Sequence, residues 1–136
     1  MAKVAFLGLG VMGGPMAGHL LRAGYRITAY NRTTARADAW LARFGAEGDA
    51  ILAATPAQAA RGADIVISCV GNDDDLAEVI FGPDGALDAL HPGSLVIDHT
   101  TVSAMIARRL DGEARNRGVL FLDAPVSGGQ AGAENG

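Results

Sequence analysis

The feature that most constrains this chain is a glycine-rich run between an apolar segment and a helical pattern. The run is Gly8-Leu9-Gly10-Val11-Met12-Gly13, after the apolar residues 4–7 and before the helical pattern of residues 16–23. Gly8 permits a sharp turn, Gly10 lets a ligand approach the backbone, and Gly13 lets the helix pack closely on the strand. A bare GxGxxG pattern is a weak signal, but strand, glycine turn and helix together predict a dinucleotide-binding unit. A purely structural glycine-rich loop is the alternative interpretation.

We expect all six residues of this run to contact a dinucleotide. Its pyrophosphate is expected at the helix N-terminus, because unpaired backbone N–H groups and the positive end of the helix dipole favour an anion there. Residues 8–13 are therefore the first candidate binding site.

Apolar runs and helical patterns alternate along the whole chain. The runs rich in β-branched or aliphatic residues are 4–7, 27–30, 65–70, 95–97 and 119–122. Near-continuous apolar runs are typical of parallel strands that are buried on both faces. The alternation predicts an α/β fold with a doubly wound parallel sheet, in which ligands bind at the carboxyl ends of the strands.

Glycine, proline and hydroxyl residues mark the expected ends of the helices. Helix stops are expected at Gly24, Gly45, Gly62 and Gly118, and helix starts at Thr55-Pro56 and Ser103. Residues 47–53 are ambiguous: they fit a short strand at the sheet edge, but Gly48 and Asp49 weigh against it.

Composition limits the class of protein. A chain of 136 residues predicts a single domain, and a net charge of −4 with scattered Lys and Arg predicts no nucleic-acid partner. The single cysteine, Cys69, excludes an internal disulfide, suits a reducing compartment and lies in an apolar run, so we expect it to be a small buried hydrophobe. No stretch approaches the roughly 20 apolar residues of a membrane span, and Gly8 interrupts any N-terminal targeting segment. We therefore expect a cytoplasmic protein without a membrane partner.

The residues after the second predicted strand indicate the choice of cofactor. An NAD site places Asp or Glu about 20 residues beyond the glycines to bind the ribose 2′-hydroxyl. Asn31 stands there instead, followed by Arg32 and Thr33. Loss of the carboxylate removes repulsion against a 2′-phosphate, and Arg32 can bind that phosphate, so NADP is favoured over NAD. The alternative is that Arg32 is a solvated surface cation and that Thr33 or Thr34 caps the next helix.

Three motifs together resemble the β-hydroxyacid dehydrogenase family, which includes 3-hydroxyisobutyrate dehydrogenase, tartronate semialdehyde reductase and the glyoxylate/succinic semialdehyde reductases. They are Gly8-Leu9-Gly10-Val11-Met12-Gly13-Gly14-Pro15-Met16-Ala17, Asn31-Arg32-Thr33 and Asp123-Ala124-Pro125-Val126-Ser127-Gly128-Gly129. The resemblance covers the whole chain. It implies that the protein is the N-terminal dinucleotide-binding domain, residues 1–136, of an oxidoreductase that acts on a small 3-hydroxyacid or its semialdehyde.

The resemblance also assigns a substrate site. In the family the Ser-Gly-Gly segment binds the substrate carboxylate, and Ser127, Gly128 and Gly129 hold those positions here. A hydroxyl and exposed backbone N–H groups in a glycine turn suit an anion. Taken alone, residues 126–132 predict only a flexible glycine turn.

Further cofactor contacts implied by the family lie after the next two strands along the chain. Val70-Gly71 stands where the family usually has Leu-Pro, and the next family contact falls at Asp75. Residues 73–75 are all Asp and also fit a helix start, or less well a metal site, for which no second cluster of oxygen ligands is present in the sequence.

The segment Asp98-His99-Thr100-Thr101 is similar to the family's Asp-x-Ser-Thr, with Thr101 at the position that contacts the cofactor. We expect His99, like His19 and His91, to be structural or exposed, because no partner carboxylate can be assigned to it.

No catalytic residue is expected within this chain. The family uses a lysine, carried on a helix of a mostly helical second domain, as general acid and base. The only lysine here is Lys3, which begins the first strand and so lies at the wrong end of the sheet. The prediction is a chain that binds a dinucleotide without turnover, with the helical domain and the lysine beyond Gly136, and a parent enzyme that is a homo-oligomer.

Three alternatives remain open. The 6-phosphogluconate dehydrogenases share a similar opening and a Val-Ser-Gly-Gly run, but Gly10 and the Asp123-Ala124-Pro125 start of the late motif favour the smaller-substrate family. Imine reductases share the opening but not the late motif. The third alternative is a non-catalytic NADP-binding module on the same fold.

Overall fold

The fold has three layers, with helices on both faces of one sheet, and a computed structural model describes it for residues 2–136. The strands are β1 Lys3–Leu7, β2 Arg26–Tyr30, β3 Ala50–Leu52, β4 Ile65–Ser68, β5 Leu95–Asp98 and β6 Leu120–Asp123. The helices are α1 Gly13–Arg22, α2 Thr34–Phe44, α3 Pro56–Ala60, α4 Asp73–Phe81, α5 Ala104–Asn116 and α6 Gly129–Asn135. Short 3₁₀ turns cover Gly45–Glu47 and Leu87–Ala89.

The six strands form one sheet in the order β3-β2-β1-β4-β5-β6, and every neighbouring pair is parallel. The order reverses on either side of β1, so β1 lies at the topological switch point, where such folds bind ligands. This confirms the predicted doubly wound parallel sheet. Residues 47–53, which the sequence left ambiguous, contain the short edge strand β3.

Two apolar layers cover the sheet because alternate residues of each strand face opposite sides. On one side, Val4 and Phe6 pack with residues of α1 and α2, including Leu21 and Trp40. On the other, Ala5, Leu7, Val66 and Val96 pack with α3, α4 and α5, whose buried residues include Leu76, Ile80 and Leu110. Burial on both faces explains why the central strands are near-continuous apolar runs in the sequence.

Most predicted boundaries are confirmed, and the differences have local causes. Thr55 and Ser103 are N-caps whose hydroxyls accept from the amides of Gln58 and Ile106. α1 begins at Gly13 rather than at residue 16, because the last glycine of the turn is already its first helical residue. β4 ends at Ser68 rather than at residue 70, because the Val70 amide donates to the Thr100 hydroxyl instead of a neighbouring strand.

One helix stop has an unexpected backbone conformation, and one expectation about a strand is corrected. Gly45 is the C-cap of α2, which ends at Phe44 as expected, but its φ of −59° is right-handed and the chain continues into a 3₁₀ turn. Gly24, Gly62 and Gly118 adopt positive φ. β6 is not buried on both faces: Leu120 is 65% exposed and Leu122 is 51% exposed, because α5 packs on β6 but neither apolar layer of residues 2–136 covers the face that these two side chains share.

The late glycine-rich segment is also more ordered than the sequence alone predicts. Residues 126–132 were expected to be a flexible turn, yet α6 begins at Gly129 and packs against α1.

Within residues 2–136 no helix combines the length and apolar character needed to cross a bilayer.

Candidate functional site

A cleft of about 440 Å³ opens at the carboxyl ends of β1, β2 and β4. Its walls come from the glycine turn, the segment after β2, the loop after β4 and the first turns of α4. The lining residues are Gly8, Gly10, Val11, Met12, Gly13, Tyr30, Asn31, Arg32, Thr33, Arg36, Cys69, Val70, Gly71, Asp75, Glu78 and Val79. Most of the cofactor-contacting residues expected from the sequence thus meet in one place.

The surroundings that a Cβ would meet differ among the three fingerprint glycines. A Cβ on Gly8 would lie 2.1 Å from the Cys69 carbonyl oxygen, and Gly8 has φ +104°. A Cβ on Gly13 would lie 2.1 Å from the Gly8 carbonyl oxygen. A Cβ on Gly10 would meet only the Arg36 guanidinium, at 3.7 Å. The fold therefore requires glycine at positions 8 and 13, whereas at position 10 it does not, and the bare backbone there lines the cleft, where a ligand can approach closely.

Asn31 fixes the glycine turn to the end of β2. Its Oδ1 accepts a 2.8 Å hydrogen bond from the Leu9 amide, and its Nδ2 donates to the Thr33 carbonyl at 3.0 Å. Leu9 itself is buried in the core, so its backbone and not its side chain faces this region. The amide side chain thereby satisfies a turn N–H and shapes the cleft wall.

Arg32 spans the mouth of the cleft. Its Nη1 lies 3.0 Å from Asp75 Oδ1 and 3.7 Å from Glu78 Oε2, and its side chain is 67% exposed. Gly71 makes room for this arrangement, because a Cβ there would lie 2.6 Å from Asp75 Oδ2. Arg32 is therefore more than a solvated cation: it joins the segment after β2 to α4.

The three consecutive carboxylates have separate roles. α4 begins at Asp73, as the alternative interpretation predicted, but its cap is Asn72, whose Oδ1 accepts from the Asp75 amide. Asp73 instead accepts from the amide and hydroxyl of Ser103, and these hydrogen bonds lower the pKa of the Asp73 carboxyl. Residues 2–136 contain no group of three His, Cys, Asp or Glu side chains arranged to hold a metal ion.

The loops after β4 and β5 are tied together by a buried polar network. Asp98 Oδ1 accepts from Ser68 Oγ at 2.7 Å and from the Thr100 amide at 3.1 Å. Thr100 Oγ1 in turn accepts from the Val70 amide at 3.0 Å. Thr101, the residue expected to contact a cofactor, is exposed just beyond and does not line the cleft.

Asp98 is fully buried, and its Oδ2 has no hydrogen-bond partner among residues 2–136. Burial raises the pKa of its carboxyl, because the low-dielectric interior disfavours the ionised form. Burial, with a smaller contribution from Asp98, also raises the pKa of the Cys69 thiol. Cys69 is half-buried and lines the cleft, so it is less enclosed than the sequence suggested.

The segment expected to bind a substrate carboxylate lies outside the cleft lining. Ser127 is exposed, and Gly128 and Gly129 have φ of +114° and +61°. α6 follows, and His19 of α1 holds its end, with Nε2 lying 2.8 Å from the Ala133 carbonyl oxygen. Lys3 pairs with Arg26 at the amino ends of β1 and β2, away from the cleft, as expected.

Sequence reasoning missed five lining residues: Tyr30, Arg36, Cys69, Glu78 and Val79. Arg36 and Glu78 were detectable in principle, because each lies in the first two turns of a helix that follows a strand's carboxyl end. His99 has a structural contact, with Nδ1 2.7 Å from the Ala124 carbonyl oxygen, as expected for a histidine without a carboxylate partner.

Comparison with known proteins agrees with this geometry. Residues 3–136 match the family model described as the NAD binding domain of 6-phosphogluconate dehydrogenase. An uncharacterized oxidoreductase of Shewanella frigidimarina is 54% identical over 136 residues, which are 100% of this chain and 45% of that protein. The chain thus spans about half the length of this relative.

Solved structures share the fold over almost the whole chain. A Mycobacterium tuberculosis 3-hydroxyisobutyrate dehydrogenase with L-serine is 33% identical with a TM-score of 0.88, covering 99% of this chain and 44% of that one. An imine reductase of Myxococcus stipitatus in complex with NADP+ is 29% identical with a TM-score of 0.79, covering 95% and 42%. The chain therefore belongs to the family of the NAD binding domain of 6-phosphogluconate dehydrogenase, and 3-hydroxyisobutyrate dehydrogenase is among the proteins that it resembles in sequence and fold.

Proposed function

We propose that this chain is the NADP-binding domain of an oxidoreductase that acts on a small 3-hydroxyacid or its semialdehyde. The observation that supports the proposal is the cleft at the switch point, where the bare backbone of Gly10 lies beside the guanidinium of Arg36 and shares the lining with Arg32. A backbone without side chains and two cations fit the anionic parts of a dinucleotide. When bound, the nicotinamide cofactor supplies hydride chemistry.

The choice of NADP over NAD rests on the end of β2. Asn31 places no negative charge there, and Arg32 follows it at the cleft mouth. A hydrogen bond to a charged group contributes about 1.5–3 kcal/mol, so Arg32 is expected to favour NADPH by roughly ten- to a hundredfold. The structural neighbour with NADP+ bound supports this cofactor, whereas the family description names NAD.

The substrate assignment rests on the family resemblance and on the exposed turn at Ser127, Gly128 and Gly129. An exposed hydroxyl and glycine N–H groups can anchor a carboxylate, so that the substrate is held in line with the cofactor. The proton of the substrate hydroxyl needs a general acid and base, which in this proposal is a lysine of a second, helical domain. We further propose that the whole protein is a cytoplasmic homo-oligomer and that this chain alone binds without turnover.

Titration of the chain with NADPH and with NADH tests the cofactor proposal. Tighter NADPH binding that is lost in Arg32→Ala supports it, and equal binding of both cofactors contradicts it. Arg26→Ala is the matched control, because Arg26 is also an exposed arginine paired with an aspartate, Asp49, but begins β2 at the opposite end of the sheet. For the substrate, Ser127→Ala in a full-length protein is expected to raise the Michaelis constant, and unchanged kinetics would contradict the carboxylate anchor.

An imine reductase remains the second candidate function. It is favoured by the structural similarity to such an enzyme with NADP+. The higher TM-score and identity of the 3-hydroxyisobutyrate dehydrogenase, together with the Asp123-Ala124-Pro125 start of the late motif, favour the hydroxyacid. Turnover of a full-length protein with 3-hydroxyisobutyrate and with a cyclic imine distinguishes the two.

A further inference from the structure

The charge balance of the cleft depends on four side chains. Arg32 and Arg36 contribute two positive charges, and Asp75 and Glu78 contribute two negative charges. The carboxylates are not placed equally with respect to the two arginines. Both lie against Arg32, at 3.0 Å and 3.7 Å from Nη1. In residues 2–136 no ion pair joins Arg36 to a carboxylate.

This asymmetry matters because the two arginines face different parts of a dinucleotide. Arg36 lies beside Gly10, where the pyrophosphate common to NAD and NADP is expected. Arg32 follows the end of β2, on the side of the adenosine ribose, where only NADP carries an additional phosphate. The carboxylates therefore pair with Arg32, on the side where NADP and NAD differ, and not with Arg36, on the side that both cofactors share.

We propose that Asp75 and Glu78 set the cofactor selectivity of this domain by competing with the 2′-phosphate for Arg32. The inference rests on the proposed NADP site and deepens it. Binding of a 2′-phosphate requires Arg32 to exchange one or both carboxylates for the phosphate. Binding of NADH leaves the ion pair in place, so only NADPH binding is weakened by it. The two carboxylates thus reduce the preference for NADPH over NADH that Arg32 provides.

The position of these carboxylates makes the competition possible without disturbing the fold. Asp75 is in the first turn of α4, whose N-cap bond is made by Asn72 and not by the Asp75 side chain. Glu78 lies one turn further and is 60% exposed. Neutral amides of the same shape at both positions keep the helix and its cap while removing the attraction for Arg32.

The test measures the ratio of the NADH dissociation constant to the NADPH dissociation constant. A change in the cleft that weakens both cofactors by the same factor leaves this ratio unaltered. The double substitution Asp75→Asn with Glu78→Gln is expected to raise this ratio about two- to fivefold, the range of an exposed ion pair. Asp75→Asn alone is expected to have the larger single effect because its contact is shorter. Asp74→Asn is the matched control, since it removes a charge from the same turn at a residue that makes no ion pair within residues 2–136. The ratio is expected to stay within about 1.5-fold of wild type in this control.

The same double substitution in an Arg32→Ala background separates competition from direct repulsion. If the carboxylates act through Arg32, most of the gain in the ratio disappears there. A gain of unchanged size would mean that they repel the 2′-phosphate directly, and would overturn the proposal. An unchanged or lower ratio in the double variant with Arg32 present would overturn it as well. The NADP assignment fails separately, if wild-type protein shows no NADPH preference or if Arg32→Ala keeps it.

Discussion

Ser68 and Asp98 are joined across β4 and β5 by a 2.7 Å hydrogen bond in which the serine hydroxyl donates to Oδ1. Both residues are fully buried at the carboxyl ends of their strands, directly before the loops that reach the cleft. The same Oδ1 accepts a hydrogen bond from the Thr100 amide, and the Thr100 hydroxyl oxygen accepts one from the Val70 amide. A buried carboxyl therefore aligns two loops at the binding edge of the sheet.

Replacing Asp98 tests this network. Asp98→Ala leaves the Ser68 hydroxyl and the Thr100 amide without their acceptor, so we expect a loss of about 1–3 kcal/mol in the free energy of unfolding. Asp98→Asn keeps an acceptor oxygen and is expected to be less destabilising. Urea denaturation of both variants measures the difference. Equal stability of Asp98→Ala and wild type would mean that the network contributes little.

The pH dependence of stability has a defined sign for Asp98. Its folded-state pKa is raised, so ionisation in the folded state is costly; stability is lost as pH rises from the unfolded-state pKa and the loss is complete once pH passes the folded-state pKa. The stability of Asp98→Asn relative to wild type is therefore expected to increase as pH rises above about 4, the ordinary pKa of an Asp carboxyl. Asp73→Asn is an opposite control, because the folded-state pKa of Asp73 is lowered and its stabilisation is lost as pH falls. A pH-independent difference for Asp98→Asn would contradict the burial effect.

Alanine at the fingerprint glycines is expected to separate folding from binding. Gly8→Ala places Cβ 2.1 Å from a carbonyl oxygen at positive φ, so we expect a loss of about 3 kcal/mol or more in unfolding free energy. Gly10→Ala makes only an ordinary contact with the Arg36 guanidinium, at 3.7 Å, and should change stability by less than about 0.5 kcal/mol. It should nevertheless weaken dinucleotide binding about tenfold, because the Cβ would block one hydrogen bond between the backbone and a charged phosphate.

Gly93 provides the control for the backbone conformation alone. It has φ +91°, close to that of Gly8, but a Cβ there meets nothing within 4 Å. Gly93→Ala should therefore cost only the strain of positive φ, about 1–2 kcal/mol, with binding unchanged. If Gly8→Ala and Gly93→Ala lower stability equally, the contact with the Cys69 carbonyl is not the reason for glycine at position 8.

Asn31→Asp is expected to shift the cofactor preference toward NADH. The acceptor for the Leu9 amide is kept, but the new charge repels a 2′-phosphate and can accept from a ribose 2′-hydroxyl. Loss of the donor to the Thr33 carbonyl should cost about 1 kcal/mol of stability. Fluorescence titration gives the ratio of the two dissociation constants. Asn72→Asp, which adds the same charge outside the cleft lining, should leave that ratio nearly unchanged.

His19→Phe is expected to loosen α6 while the rest of the fold stays intact. The Nε2 of His19 lies within hydrogen-bond distance of the Ala133 and Glu134 carbonyl oxygens, so Nε2 carries the proton and donates to them. Phenylalanine keeps a ring but removes the donor. Hydrogen exchange should become faster in residues 129–135 and unchanged in β1. Unaltered exchange in α6 would mean that its packing on α1 holds it without His19.

The sequence predicted part of the candidate site, and there is a physical reason why it did not predict the rest. Gly8, Gly10 and Gly13 were found because a glycine turn leaves a local pattern in the sequence. The Arg32–Asp75 pair joins residues 43 positions apart, and neither residue type nor spacing indicates that contact. The same is true of Ser68 and Asp98, whose contact depends on β4 and β5 being neighbours.

The sequence by itself determined the alternating elements, the parallel sheet and the edge of the sheet at which the cleft opens. It did so because apolar runs, caps and glycine turns act over a few residues. Only the tertiary structure decided which side chains meet at that edge, that Arg32 is held by carboxylates, and that residues 129–135 form a helix. Those outcomes depend on strand order and on contacts between distant segments, whose burial and charge have no local signature.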